Sequence, residues 1–188
     1  MGKRKLPLRT PLILWGEGHT EQLFLELFRQ DYRKELAEKQ IMVGNAGGGS
    51  PGSILEALDK KALSLGDPKT PALFLLDEDK GLDDEALEVL KKHTNEDGEC
   101  SIAILYSKPQ CLEGLLLDLL GDLPVKGHHR SEELKERFQE KYLGSCNHVR
   151  KNFKKKRAEL FPKALLDKKM ASHPILKKVS LFLGLSES

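Results

Sequence analysis

Short apolar runs alternate with segments of helical periodicity over the first two thirds of the chain. The runs have the length of strands and occupy residues 12–15, 40–43, 72–76 and 101–106. Apolar residues at helical spacing follow each run, in segments that begin at Thr20, Ser53, Asp83 and Cys111. This alternation predicts an α/β fold with a parallel sheet, right-handed crossovers and helices on both faces.

Local signals predict where these helices begin and which side they bury. Thr20 is the expected cap of the first helix, and a capping box formed by Ser53 and Glu56 is expected to open the second. In the third helix, Leu87 and Leu90 are expected to face the core.

The pattern changes near Gly121, and no strand is apparent from Ser131 onward. Helices are predicted over 131–142 and 150–160, from Pro162, and from Pro174 to about Leu183. The chain is therefore expected to divide into an α/β domain at 10–121 and an all-helical extension at 122–188.

Charge is distributed unevenly between these two parts. Residues 1–125 carry 15 Lys and Arg against 22 Asp and Glu, a net charge of −7, whereas residues 126–178 carry 16 against 6, a net charge of +10. An acidic part suits a cation site, and a basic part suits a surface for polyanions such as nucleic acids. Ordinary solvated helix faces would explain the same charges.

Cysteine usage and hydropathy favour an intracellular, soluble protein. The longest apolar runs are far shorter than the ~18 residues that a membrane span needs, and no apolar signal core follows the basic N-terminus. A cytoplasmic location is therefore predicted. Cys100, Cys111 and Cys146 are too sparse for a disulfide framework or a zinc pair, and each is expected to be a buried or half-buried apolar residue.

Acidic residues follow three of the predicted strands. They are Glu17 and Glu21 after the first strand, Asp77 and Asp79 after the third, and Glu113 after the fourth. The carboxyl ends of parallel strands meet at one edge of a sheet, where open α/β folds bind ligands. Carboxylates gathered there repel one another unless a cation joins them, and hard oxygen ligands favour Mg²⁺ or Mn²⁺. The alternative is that these residues are solvated charges in loops, or acids in the first turn of a helix, where the helix dipole stabilises them.

Three segments resemble the motifs of TOPRIM domains, in sequence order. LILWGEGHTEQLFLELF resembles the first motif, a strand that runs into a glutamate flanked by glycine, and LFLLDEDKG resembles the second, a strand followed by Asp-x-Asp. Together with a Ser-x-Pro-x-x-x-Glu segment, here Ser107, Pro109 and Glu113, they are similar to the RloB-like branch of TOPRIM nucleases. The resemblance covers roughly residues 10–120.

The resemblance implies a Rossmann-like sheet and a nuclease that uses Mg²⁺ or Mn²⁺ to hydrolyse phosphodiester bonds of DNA or RNA, tRNA included. Glu17 would be a metal ligand or the general acid/base, and Asp77 and Asp79 would be the metal-holding pair. Glu21 and Glu113 match further acids of RloB-like and related OLD nucleases. The chain departs from the motif at Leu112, where an aromatic residue is usual, and at Asp118, near which relatives often carry histidine.

The resemblance also implies a biological setting. Relatives act in phage defence, beside an ABC-type ATPase. Those two expectations come from the family alone, and the sequence leaves a homo-oligomer open.

Basic residues supply candidate contacts to nucleic acid. Lys80 and Lys108, near strand ends, are candidates to neutralise charge on the scissile phosphate, with solvated surface lysines as the alternative. Two further groups would contact phosphates without reading bases: His128, His129 and Arg130, and the helical Lys151, Lys154, Lys155 and Arg157.

Other functions fit part of the sequence. Gly47, Gly49 and Gly52 match a dinucleotide-binding string, although the loop is more typical of a flexible cover for the crevice. A receiver-like phosphoacceptor would use Asp77 with Lys108, and a non-catalytic nucleic-acid-binding subunit would use the basic part alone. Topoisomerases and primases need domains for which 188 residues leave no room.

Overall fold

The computed structural model describes residues 9–124, 130–144 and 148–185. Four strands form one all-parallel sheet: β1 (Thr10–Gly16), β2 (Lys39–Asn45), β3 (Ala72–Asp77) and β4 (Ile102–Ser107), in the order β2-β1-β3-β4. The predicted α/β class and parallel sheet are confirmed, and the arrangement is consistent with a Rossmann-like fold. The central strand β3 is apolar from Ala72 to Leu76 and fully buried because both of its faces are covered, whereas the edge strand β2 begins with Lys39 and Gln40 and is only half-buried.

Helices cover the two faces of the sheet, and the alternation of side chains along each strand feeds two cores. Leu14 and Leu73 point into the core shared with α1 (His19–Asp31) and α4 (Leu112–Leu120). Ile13 and Phe74 point into the core shared with α2 (Pro51–Ser64) and α3 (Asp84–Lys92).

The described elements after α4 are all helical. They are α5 (Ser131–Phe138), a π-helical turn (Gln139–Leu143), α6 (Val149–Leu160), α7 (Lys163–Ser172) and α8 (Pro174–Leu183). Phe161, which follows α6, meets Phe24 of α1 edge to face, with ring centroids 6.0 Å apart, and Phe153 of α6 meets Phe138 in the same way. These helices therefore complete the core on the α1 side of the sheet.

Two helix starts differ from the predicted ones. Gly18, not Thr20, caps α1, because the Glu21 carboxylate accepts a hydrogen bond from the Gly18 N–H. Ser50, not Ser53, caps α2, because its hydroxyl accepts the Ser53 N–H and proline at the first helical position favours the start there.

The buried side of α3 and one cysteine also differ from the predictions. Leu87 is 44% exposed, whereas Leu90 packs against the core as predicted, beside the buried Ala86 and Val89. Cys111 is buried as expected, but Cys100 is exposed because it lies in the turn that precedes β4, on an isolated bridge to Thr94. Cys146 lies outside the described residues. Within the described ranges, no helix combines the length and apolar character needed to cross a bilayer.

Candidate active site

The sheet changes its direction of winding between β1 and β3, which are neighbours. The chain leaves β1 for α1 on one face and leaves β3 for α3 on the other, so a crevice opens between the two strand ends. Glu17 follows β1 and Asp77 ends β3. Glu17 and Asp77, which are distant in sequence, therefore lie at the same edge of the sheet.

Glu17 is held by contacts from two other loops. Its Oε1 accepts a hydrogen bond from the Lys80 ammonium, which follows β3, and its backbone carbonyl accepts the Gly48 N–H at 3.0 Å. Its Oε2 is buried and has no hydrogen-bond partner among the described residues. A buried carboxylate oxygen without a partner is costly, which marks this position as one where a ligand would be stabilised.

Glu21 lies in the first turn of α1 and is buried against the end of β1. A Cβ at Gly16 would come within 2.4 Å of the Glu21 Cβ, so the absence of a side chain at Gly16 permits this close approach. Burial, and next the negative charge of Asp77, raise the pKa of Glu21 to about 8, and Glu113 and Glu17 add to the effect. Glu21 therefore carries a proton at neutral pH when no further cation is present.

Asp77 is fixed by neighbouring polar groups at the end of β3. Its Oδ1 accepts hydrogen bonds from the Ser107 hydroxyl and the Leu112 N–H, both at 2.9 Å, and its Oδ2 lies 3.9 Å from the Lys135 ammonium. Burial raises the pKa of Asp77, with the charge of Glu17 acting in the same direction and the Ser107 hydrogen bond opposing both. The Asp77 carboxyl group is thus held in one orientation, in surroundings that disfavour its ionised form.

Glu113 and Lys135 complete the buried group. Burial raises the pKa of Glu113, and the charge of Asp77 adds to this while Lys135 opposes it. Burial lowers the pKa of Lys135, but Glu113 and Asp77 outweigh it and the net pKa is raised. Lys135 was not predicted to belong to the site, because nothing in its local sequence indicates that α5 turns this residue toward the strand ends.

Two residues that were predicted with this group make other contacts. Asp79 is exposed, and its carboxylate accepts a hydrogen bond from the Ser131 hydroxyl at the start of α5. Lys108 forms an ion pair with Glu78, with an N–O distance of 2.8 Å, and its side chain is largely exposed. The structure therefore unites Glu17, Glu21, Asp77 and Glu113 but does not bring Lys108 to them.

The crevice acids carry donor atoms suited to a metal ion, although their spacing is not that of a formed site. Among residues 9–124, 130–144 and 148–185, no three His, Cys, Asp or Glu side chains already stand in a geometry that would hold a metal ion. The donor chemistry nevertheless fits a hard cation, because the group offers only carboxylate oxygens, one of them buried without a partner. Lys80 and Lys135 provide the positive charge in this arrangement.

The predicted nucleic-acid contacts separate into different environments. Lys151 and Lys154 are exposed and line a groove between α1 and α6, whereas Lys155 is exposed outside it. Arg157 is only 7% exposed and donates hydrogen bonds to the Leu23 carbonyl and to Gln30, so it lies at the base of this groove rather than on its open surface.

The remaining candidates lie elsewhere in the chain. Arg130 is exposed at the cap of α5, and Lys80 forms an ion pair with Glu17. His128 and His129 fall outside the described residues.

Comparisons of the chain with protein-family models, with curated proteins and with solved structures found no match. The chemistry of the crevice is therefore inferred from the residues and contacts described above.

Proposed function

We propose that this protein is a metal-dependent nuclease that hydrolyses phosphodiester bonds of DNA or RNA, with tRNA among the candidate substrates. One observation carries the proposal: Glu17, Glu21, Asp77 and Glu113, from three separate segments, share one crevice, where the pKa values of Glu21, Asp77 and Glu113 are raised by burial and by neighbouring carboxylates. Such a group is unfavourable in a protein that needs it only for structure. It is favourable where a divalent cation must be held.

Glu17, Glu21, Asp77 and Glu113 are the residues that would hold the cation. Two lysines face four carboxyl groups, so the crevice has capacity for further positive charge. When bound, Mg²⁺ or Mn²⁺ supplies charge stabilisation at the scissile phosphate and lowers the pKa of a coordinated water.

Residues of the chain itself would transfer the proton, stabilise negative charge and position the carboxylates. Glu17, whose Oε2 has no hydrogen-bond partner among the described residues, would take a proton from the attacking water or return one to the leaving oxygen. Lys80 orients Glu17 and offers positive charge where the phosphoryl group becomes more negative. Ser107 and the Leu112 N–H hold Asp77 in a single orientation.

The motif resemblance supports the same proposal. Glu17, Asp77, Asp79 and Glu113 match motif positions of RloB-like TOPRIM nucleases; Glu17, Asp77 and Glu113 are also crevice acids, whereas Asp79 is exposed and bonded to Ser131. We extend the proposal to that family's setting, phage defence in the cytoplasm beside an ABC-type ATPase.

The contacts of Lys108 and Asp77 disfavour the receiver-like alternative. A phosphoacceptor aspartate needs an accessible carboxylate and a lysine close to it. Asp77 is buried, however, and Lys108 is paired with Glu78. A non-catalytic nucleic-acid-binding subunit would have no use for three buried acids and the half-buried Glu17, although grouping them is energetically costly.

The test is incubation of the protein with plasmid DNA, single-stranded DNA and tRNA in Mg²⁺, Mn²⁺ or EDTA. We expect cleavage that EDTA abolishes and that Glu17→Gln or Asp77→Asn lowers by about 10²–10⁴-fold. Glu88→Gln, an exposed acid on α3 paired with Lys91, is the matched control and should cleave at the wild-type rate. Cleavage by Glu17→Gln at the wild-type rate, or no cleavage of any substrate, contradicts the proposal.

A further inference from the structure

A basic groove of about 640 Å³ lies between α1 and α6, beside the crevice but separate from the acids. Among the described residues, its charged lining is strongly unbalanced, with one acid against five permanent cations: Glu26 against Arg29, Arg150, Lys151, Lys154 and Arg157. The one acid is already neutralised, because Arg29 donates to Glu26 at 2.7 Å. The groove therefore presents a net positive surface.

The fold fixes the orientation of α6 that makes this groove. Residues 150, 151, 154 and 157 recur at helical spacing and so share one face of the helix. Phe153 is fully buried against Phe138 and Phe161, and Arg157 ties the helix to the Leu23 carbonyl of α1. Lys151 and Lys154 are consequently held along the groove, while Lys155 points away from its lining.

The groove begins next to the candidate active site. Gln22, its first lining residue on α1, immediately follows Glu21, and the lining continues along α1 as far as Gln30. Eight residues of helical rise span about 12 Å. At the 3.4 Å spacing of phosphates along one strand of a duplex, that length accommodates about three or four phosphates.

The chemistry of the lining indicates what part of a nucleic acid it would contact. No Phe, Tyr or Trp side chain occurs among the residues that line the groove within the described part of the chain, where His148 contributes the one aromatic ring. Proteins that hold unpaired strands use aromatic side chains on which bases stack, whereas Arg and Lys contact phosphates irrespective of sequence.

We propose that the α1–α6 groove binds the phosphodiester backbone of a duplex nucleic acid and leads one of its strands toward the crevice. The proposal deepens the proposed nuclease function and rests on it for the direction of the strand. Binding itself requires neither metal nor cleavage, so the two can be tested apart.

The experiment measures fluorescence anisotropy of a labelled 16-base-pair DNA duplex, and of one of its strands alone, with full-length protein in EDTA, over a range of salt concentrations. Lys151→Ala/Lys154→Ala is expected to weaken binding and to reduce the slope of log affinity against log salt by about 2. Lys92→Ala/Lys168→Ala removes the same charge from two exposed lysines outside the lining and should bind as the wild type does. Circular dichroism melting establishes that each variant is folded.

Several results would overturn the groove proposal: equal binding by the groove variant and the wild type, equal losses in the groove and control variants, or a groove-dependent preference for single-stranded DNA. Cleavage assays on the same proteins separate this outcome from the nuclease proposal. If the protein cleaves in a metal-dependent way and the groove variant binds the duplex as the wild type does, only the groove proposal is contradicted. If binding depends on the groove but no substrate is cleaved, the groove proposal is supported and the nuclease proposal is contradicted.

Discussion

The ammonium of Lys80 donates a hydrogen bond to the carboxylate of Glu17, which joins the loop after β3 to the loop after β1. The two loops leave neighbouring strands toward opposite faces of the sheet, so this ion pair spans the mouth of the crevice. It also satisfies only one of the two Glu17 oxygens. The pair therefore orients the carboxylate and leaves its second oxygen available.

Removal of this lysine should affect the reaction more than the fold. We expect Lys80→Ala to lower kcat roughly 10²-fold, because charge opposite a developing oxyanion contributes at about this level. Lys80→Arg should recover part of the loss. Steady-state kinetics on a cleaved oligonucleotide measures both, with Lys92→Ala, an exposed lysine at the end of α3, as the control. An unchanged kcat in Lys80→Ala would contradict the assigned role.

The raised pKa of Glu21 predicts how stability depends on pH. Its pKa rises from an ordinary value of 4.5 in the unfolded chain to about 8 in the folded protein, so the folded state binds more protons between these values. The contribution of Glu21 to the free energy of unfolding is therefore fully present below about pH 4.5 and is lost as the pH rises through about 8.

Urea denaturation of the metal-free protein from pH 5 to pH 8 tests this dependence. Glu21→Gln cannot lose a proton in this range, so its free energy of unfolding should fall less steeply than that of the wild type. Parallel curves for the two proteins would show that Glu21 titrates normally.

Arg157 is predicted to stabilise the fold. Arg157→Met keeps much of the side-chain volume but leaves the Leu23 carbonyl without its donor, at a cost of about 1–3 kcal/mol in the free energy of unfolding. Lys151→Met on the same helix changes an exposed residue and should lie within about 0.5 kcal/mol of the wild type. Equal stabilities of the two variants in urea denaturation would contradict the buried role of Arg157.

His93 forms a buried polar link at the opposite edge of the sheet. Its ring nitrogens contact the Asp59 carboxylate at 3.0 Å and the Ser101 hydroxyl at 3.1 Å, and the side chain is 4% exposed. His93→Ala loses both contacts and leaves a cavity, so we expect a loss of about 2–4 kcal/mol in the free energy of unfolding. Ser101→Ala should cost less, and a smaller loss for His93→Ala than for Ser101→Ala would be inconsistent with this account.

The strands could be predicted from sequence because their patterning is strong. Parallel strands covered on both faces are continuous apolar runs, and the run at 72–76 accordingly lies within β3. The position of Glu17 and Asp77 at one edge could be predicted in the same way, because the carboxyl ends of parallel strands lie at the same edge of a sheet. Helix starts were less predictable, because Ser50 and Gly18 provide caps that compete with the nearby Ser53 and Thr20.

Contacts made by the C-terminal helices could not be predicted. Lys135 reaches the Asp77 carboxylate only because α5 packs against α4, and no local period shows which residue of α5 faces the crevice. Arg157 belongs to a basic run typical of a solvated helix, yet the burial of Phe153 turns Arg157 toward α1. Both outcomes depend on tertiary packing between distant segments.

Divalent-ion binding tests the central claim most directly, because it examines the buried acids without requiring the correct substrate. Isothermal titration of Mn²⁺ into metal-free protein at pH 8 should show saturable binding, which Asp77→Asn and Glu17→Gln abolish or weaken at least tenfold while Glu88→Gln leaves it unchanged. Thermal unfolding should show a matching Mn²⁺-dependent rise in Tm for the wild type and for Glu88→Gln. No saturable binding by the wild type, or equal binding by Asp77→Asn, would contradict the assignment of these carboxylates to a metal site.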